Sequence, residues 1–111
     1  MIKVVYCFAK RPDVGFDEFS RYWHEVHGAI GARIPGLRRL VQSVAVRDPR
    51  DAYAPSFDGM AELWFDDIEA LLRARASPEW QASTDDERQF IDHSRTAYFV
   101  SYERVVVENA S

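Results

Sequence analysis

The amino-acid sequence predicts an α+β domain, a β-sheet with helices packed against it. Three observations carry this expectation. Four runs, Met1–Lys10, Leu37–Val46, Gly59–Phe65 and Thr96–Val107, are dense in β-branched, aliphatic and aromatic residues and read as strands. The stretch from Phe16 to Gly28 carries its apolar residues at helical spacing. Between the third and fourth strands, two further apolar segments open on capping signatures and read as helices.

Taken in order, the first strand has Ile2, Val4, Tyr6 and Phe8 on one face and Val5 and Cys7 on the other. Both faces are apolar, which predicts a central strand. Arg11-Pro12-Asp13-Val14-Gly15 is a turn-rich link. In the first helix Phe19, Tyr22, Trp23, Val26 and Ile30 fall on one stripe, and Asp17 and Glu18 lie where the helix dipole favours negative charge. Gly28 is the expected end of this helix. The second strand places Arg38, Leu40, Gln42, Val44 and Val46 on one face. Arg47 to Asp58, with Pro49, Pro55, Tyr53 and Phe57, reads as a loop and a candidate flap.

After the third strand, Asp66-x-x-Glu69 resembles a capping box, and Ile68, Leu71 and Leu72 supply an apolar side. Ser77-Pro78 restarts a helix, with serine as cap and proline at the first helical position. Thr84-x-x-Glu87 is another capping signature, leading to Phe90 and Ile91. The resulting order of strand, helix, strand, strand, helices, strand is that of a split βαβ, ferredoxin-like arrangement.

Composition narrows the possible functions. At 111 residues the chain predicts one domain spanning 1–111. Its 47% hydrophobic content suffices for a core, and so small a core benefits from a partner subunit. A net charge of -4 with scattered arginines gives a nucleic-acid role no electrostatic support. The single cysteine, Cys7, cannot form an internal disulfide and fits a reducing, cytoplasmic setting. The apolar run Val4 to Ala9 is too short to span a membrane and lacks a signal-peptide layout. No Gly-rich phosphate loop, serine elbow or CxxC motif is present, so no nucleotide, flavin or haem cofactor is expected.

His27 is the first candidate for chemistry, because it follows Trp23 by four residues and so borders the apolar stripe. It reads as an acid/base group or a donor to a carbonyl; the plainer reading is a tie between helix end and loop. His24 and His27 are spaced for a shared metal, but a third ligand is not evident, and no metal is expected. His93, next to Asp92 before the last strand, is a second acid/base candidate or a surface residue. Gln42 and Glu62 are polar residues among apolar neighbours on strands, suited to a pocket wall or to cross-strand pairing. Tyr22, Trp23, Trp64 and Phe65 would wall an apolar cavity or fill a core. Arg33 would hold a carboxylate or stand in solvent.

The segment Tyr22-Trp23-x-x-x-His27-Gly28, followed by Ile34-Pro35-Gly36-Leu37-Arg38-Arg39, resembles the EthD family of small dimeric α/β barrels. The likeness continues in Gly59-Met60-Ala61-Glu62-Leu63-Trp64-Phe65-Asp66-Asp67 and Phe90-Ile91-Asp92, and closes with Glu103-Arg104-Val105-Val106. The resemblance implies a four-stranded antiparallel sheet that packs face to face with a second copy in a homodimer. It also implies a pocket between sheet and helices for a small hydrophobic, oxygenated molecule such as an ether, lactone or polyketide-like aromatic. EthD is associated with ethyl tert-butyl ether degradation beside an oxygenase system, and related barrels include cofactor-free monooxygenases, isomerases and dehydratases. On that footing, His27 would be the acid/base. Gln42 or His93 would polarise a carbonyl, and Trp23 and Trp64 would hold the apolar part. The alternative implied is a non-catalytic carrier or accessory dimer that partners an oxygenase.

Overall fold

The computed structural model describes residues 1–110. Strands β1 (Ile2–Lys10), β2 (Arg39–Val44), β3 (Gly59–Phe65) and β4 (Ile91–Ser101) form one antiparallel sheet in the order β2-β3-β1-β4. Helices α1 (Phe16–Tyr22) and α2 (Gly28–Gly31), joined by a π turn (Trp23–His27), connect β1 to β2. Helices α3 (Ile68–Arg75) and α4 (Pro78–Asp86), with a 3-10 turn at Glu87–Gln89, connect β3 to β4. This is the expected ferredoxin-like topology. No helix among the described residues is long and apolar enough to cross a membrane.

Strand alternation sorts the sheet into two faces. On the helix-covered face, rows run straight across the four strands: Leu40–Leu63–Val4–Val100 and Gln42–Ala61–Tyr6–Tyr98. The other face carries Arg39–Trp64–Lys3–Ser101 and Val41–Glu62–Val5–Phe99. The core under the helices is divided. One cluster joins Val4, Ile34, Phe65, Ala70, Leu71 and Ala74 beneath α3, and the other joins Phe8, Phe19, Trp23, Phe90 and Ile91 beneath α1.

The structure departs from the sequence expectations at several places, each with a physical cause. The first helix does not end at Gly28. Gly28 has ordinary helical angles, its N–H bonds the Trp23 carbonyl to close the π turn, and the helix runs on to Gly31. The wider turn rotates the face, so Val26 is exposed although Phe19 and Trp23 are buried. The cap of α3 is Asp67, whose carboxylate accepts the Ala70 N–H at 2.8 Å, while Asp66 pairs with Arg38. That helix buries Ala70, Leu71 and Ala74, leaving Ile68 and Leu72 exposed. Ser77 caps α4 as expected, with Pro78 behind it, but Thr84 lies inside the helix and caps nothing.

The strands end where their partners end. β2 is confined to the residues that face Gly59–Trp64 of β3, shorter than Leu37–Val46. β4 stops at Ser101, opposite Lys3 and within one residue of the start of β1 at Ile2, so residues 103–107 have no residue of β1 beside them. At its other end β4 begins at Ile91, earlier than Thr96, across a register shift that pairs Phe8 with Thr96 but Ala9 with Asp92. His93, Ser94 and Arg95 are thereby pushed out of the ladder. Asp92 holds the bulge by accepting the Ser94 N–H at 3.0 Å and its hydroxyl at 2.6 Å.

Gly59 is the seat of the aromatic core. A Cβ there would meet two Trp23 ring carbons at 2.8 and 2.9 Å and the Phe8 ring at 3.0 Å. Neither ring is free to yield: Phe8 meets Trp23 edge to face at 5.0 Å, and Phe19 stacks on Trp23 at 5.6 Å. Gly59→Ala is therefore expected to lower stability by about 1–3 kcal/mol, read from urea unfolding. An unchanged midpoint would show that the rings have room to move.

Candidate functional site

The gap between the two core clusters is a cavity of about 470 Å³, within the range of about 300–1,000 Å³ common for small-molecule sites. Its floor is the sheet, through Val4, Tyr6, Leu40, Gln42, Ala61, Leu63 and Tyr98. Its walls come from the π turn and α2 on one side and from α3, α4 and the 3-10 turn on the other. Small residues on its lining, Gly28, Gly31 and Ala61, leave the volume unfilled.

His27 stands on the cavity wall. Its Nδ1 lies 2.9 Å from Asp86 Oδ2, and the two side chains are only 13% and 14% exposed. A carboxylate can only accept, so the proton of this bond sits on Nδ1 and leaves the Nε2 lone pair as the free basic position. The ring meets Phe90 edge to face at 4.9 Å, which fixes its plane. Asp86 Oδ1 accepts the Tyr22 hydroxyl at 2.6 Å. Burial first, and then the Asp86 hydrogen bond and charge, push the Tyr22 phenol up to about 12.

The next residue builds a second network. Glu87, also on the lining, accepts the Tyr6 hydroxyl at 3.3 Å, and His93 Nε2 lies 3.0 Å from the same oxygen. Burial, reinforced by the Glu87 charge, pushes the Tyr6 phenol well above its ordinary range. Consecutive carboxylates at the end of α4 thus each bind one tyrosine and one histidine.

The other residues singled out by sequence divide between the two sheet faces and the surface. Trp23 and Gln42 line the cavity. Gln42 donates from Nε2 to the Trp23 carbonyl at 2.9 Å, the same oxygen that closes the π turn. Tyr22 supports Asp86 from behind. His93 stands on the exposed bulge and reaches the cavity only through Glu87. Glu62 and Trp64 lie on the opposite face of the sheet, because their strand positions alternate with Ala61 and Leu63. There Glu62 pairs with Lys3 at 2.6 Å, and the Trp64 indole donates to Glu103 at 3.1 Å beneath the Arg39 guanidinium. Arg33 is exposed and away from the lining. Sequence reasoning passed over Asp86, Glu87, Tyr6 and Tyr98. Two acidic residues at a helix end carry no signal of their own, whereas Tyr6 shares a predicted strand face with Val4 and Phe8 and could have been placed with them.

The family model described as EthD domain matches residues 11–94. No curated protein matches the chain. Among solved structures, an ethyl tert-butyl ether d (EthD) family protein from Bacillus halodurans C-125 superposes with a TM-score of 0.77 at 25% identity, covering 94% of this chain and 99% of that one. SnoaB from Streptomyces nogalater, a cofactor-independent oxygenase, gives 0.64 at 18% identity, with 97% of each chain covered. A dimeric protein of ferredoxin-like fold from Bacteroides fragilis gives 0.64 at 19% identity, covering 93% and 95%. The last two likenesses show the fold alone.

The tyrosines give a direct test of the hydrogen-bonded arrangement. A phenol whose folded pKa is raised contributes stability that is fully present below the ordinary value, about 10, and lost as pH rises through the folded value. Of the five tyrosines, Tyr6 and Tyr22 are expected to ionise late in an alkaline absorbance titration. Tyr22→Phe is expected to remove the step at about 12 and to flatten the fall in stability between pH 10 and 12. Loss of a step near the ordinary value of about 10, with the late steps intact, would show that Tyr22 is not held by Asp86.

Proposed function

The chain belongs to the EthD family, and from that premise we propose that it binds a small hydrophobic, oxygenated molecule in the cavity and uses His27 to move a proton on it. The observation that carries this reading is the Asp86–His27 pair on an otherwise mainly apolar wall. With Nδ1 committed to Asp86, Nε2 takes a proton from the ligand, and the carboxylate steadies the imidazolium that results. Gln42 uses one N–H on the Trp23 carbonyl and has a second to polarise a ligand carbonyl. Glu87, steadied by His93, accepts from a ligand hydroxyl. Proton transfer next to a carbonyl serves an isomerisation or a dehydration. The same enolate, met by dioxygen, leads to an oxidation. Tyr22 acts as a positioning residue through Asp86.

In this reading two copies pack through the outer sheet face, where Phe99 is 57% exposed beside Val5, Val41, Cys7 and Met60. The single thiol, Cys7, supports a reducing, cytoplasmic setting. The rival reading, a carrier or an accessory dimer of an oxygenase, is favoured by the apolar part of the lining, Val4, Ile34, Leu40, Ala61 and Leu63, which would hold a ligand without any chemistry.

Two variants separate these readings. Ala61→Phe is expected to fill the cavity and abolish ligand binding while the protein stays folded, followed by thermal shift with small oxygenated apolar compounds. His27→Ala is expected to leave binding and the dimer intact and to lower turnover by on the order of 10²–10⁴. Binding by the native protein without any turnover would leave the carrier reading in place, whereas turnover undiminished in His27→Ala would remove His27 as the acid/base. Sedimentation or light scattering is expected to give a dimer, weakened by Phe99→Lys; a monomer at all concentrations would remove the face-to-face packing.

A further inference from the structure

Arg75, the last residue of α3, brings the only lysine or arginine side chain to the cavity lining. Six of the other eleven arginines, Arg11, Arg21, Arg38, Arg47, Arg50 and Arg88, each hold a carboxylate; among the described residues the remaining five, Arg33, Arg39, Arg73, Arg95 and Arg104, hold none and lie off the cavity lining. Among the described residues Arg75 holds none. Its hydrogen bond and its aromatic contact are both with Tyr98: a guanidinium N–H donates to the phenol oxygen, and the cation lies 5.5 Å from the centre of the ring. A guanidinium has five N–H donors, so most stay free, and Tyr98, accepting from Arg75, keeps its own O–H to donate. Beside this donor pair the lining is apolar, formed by Val4, Ile34, Leu63 and Trp80, which pack on the same cluster as the neighbouring Ala74.

We infer that the ligand of this cavity is an apolar acid. Its carboxylate seats on Arg75 and Tyr98, and its hydrocarbon body lies against Val4, Ile34, Leu63 and Trp80. The planar guanidinium matches a carboxylate in two parallel hydrogen bonds. Arg75 and Tyr98 are both solvent-exposed, so the ion pair sets the preference for an acid while burial of the hydrocarbon body supplies the rest of the affinity. Glu87, on the same lining, repels a second negative group, so one acid function per ligand is accepted. This inference rests on the ligand-binding reading above and narrows its substrate class.

The test uses the full chain, with 2-naphthoic acid and the neutral 2-naphthamide as probes in calorimetric titrations near neutral pH. The native protein is expected to bind the acid at least about tenfold more tightly than the amide. Arg75→Gln is expected to erase that preference while leaving amide affinity and the melting temperature unchanged. Arg75→Lys is expected to retain part of the preference, and Tyr98→Phe to weaken acid binding alone. Equal binding of acid and amide by the native protein, or a preference that survives Arg75→Gln, overturns the inference and leaves the ligand-pocket reading standing. Binding of neither probe overturns both.

Discussion

Trp23 is held at both ends, and the helical side of the molecule depends on that. Its ring lies on the one residue in β3 that has no side chain, Gly59. Its carbonyl receives two donors, the Gly28 N–H and the Gln42 amide. In a regular α-helix that carbonyl would be closed by the N–H four residues on. Here it is closed five residues on, and the additional residue is accommodated only because a strand side chain reaches up to share the oxygen. Wide turns of this kind recur at functional sites, and this one presents His27 at the cavity edge. Gln42 thus has a mechanical role before any chemical one: it fixes the turn that aims the histidine.

The cavity's polar groups are wired rather than scattered. Asp86 and Glu87 are only partly exposed, yet each has its charge met by one phenol and one imidazole. A partly buried carboxylate with two donors has little reason to move, so both histidines have fixed partners before any ligand enters. The division of the core into two clusters follows from the same economy of packing. Ala61, Gly28 and Gly31 supply too little volume to join the clusters, and the polar rim keeps the gap from closing by simple collapse.

Much of the fold was legible in the sequence because periodicity reports directly on which side chains face apart. β1, β3 and the helix with Phe19 and Trp23 follow from alternation and helical spacing alone. The boundaries were less legible, since a strand's length is set by its neighbour: nothing in Val105-Val106-Val107 says that β1, which starts at Ile2, has no residue to set beside them. The π turn was hidden because it depends on Gln42, a residue distant in sequence. The candidate site was half legible. His27, Trp23 and Gln42 came to the cavity, and Glu62 and Trp64 went to the other face, which the alternation with Ala61 and Leu63 already required. Asp86 could be found only once the helix end was placed in space.

The adjacency of Asp86 and Glu87 also bears on how sequences of this kind can diverge. Each residue added to or removed from a helix turns everything beyond it by about 100°. A single-codon deletion between Ser77 and Asp86 would therefore swing both carboxylates away from their tyrosines and histidines together, disabling two networks in one event. The segment from Arg47 to Asp58 imposes a weaker restraint: its two ends are tied, Asp58 to Arg47 and to the Lys10 N–H and Arg47 to the Phe16 ring, while between them Arg95 reaches only the Ser56 carbonyl. Length variation among descendants of this chain should accumulate in that loop and be purged from α4.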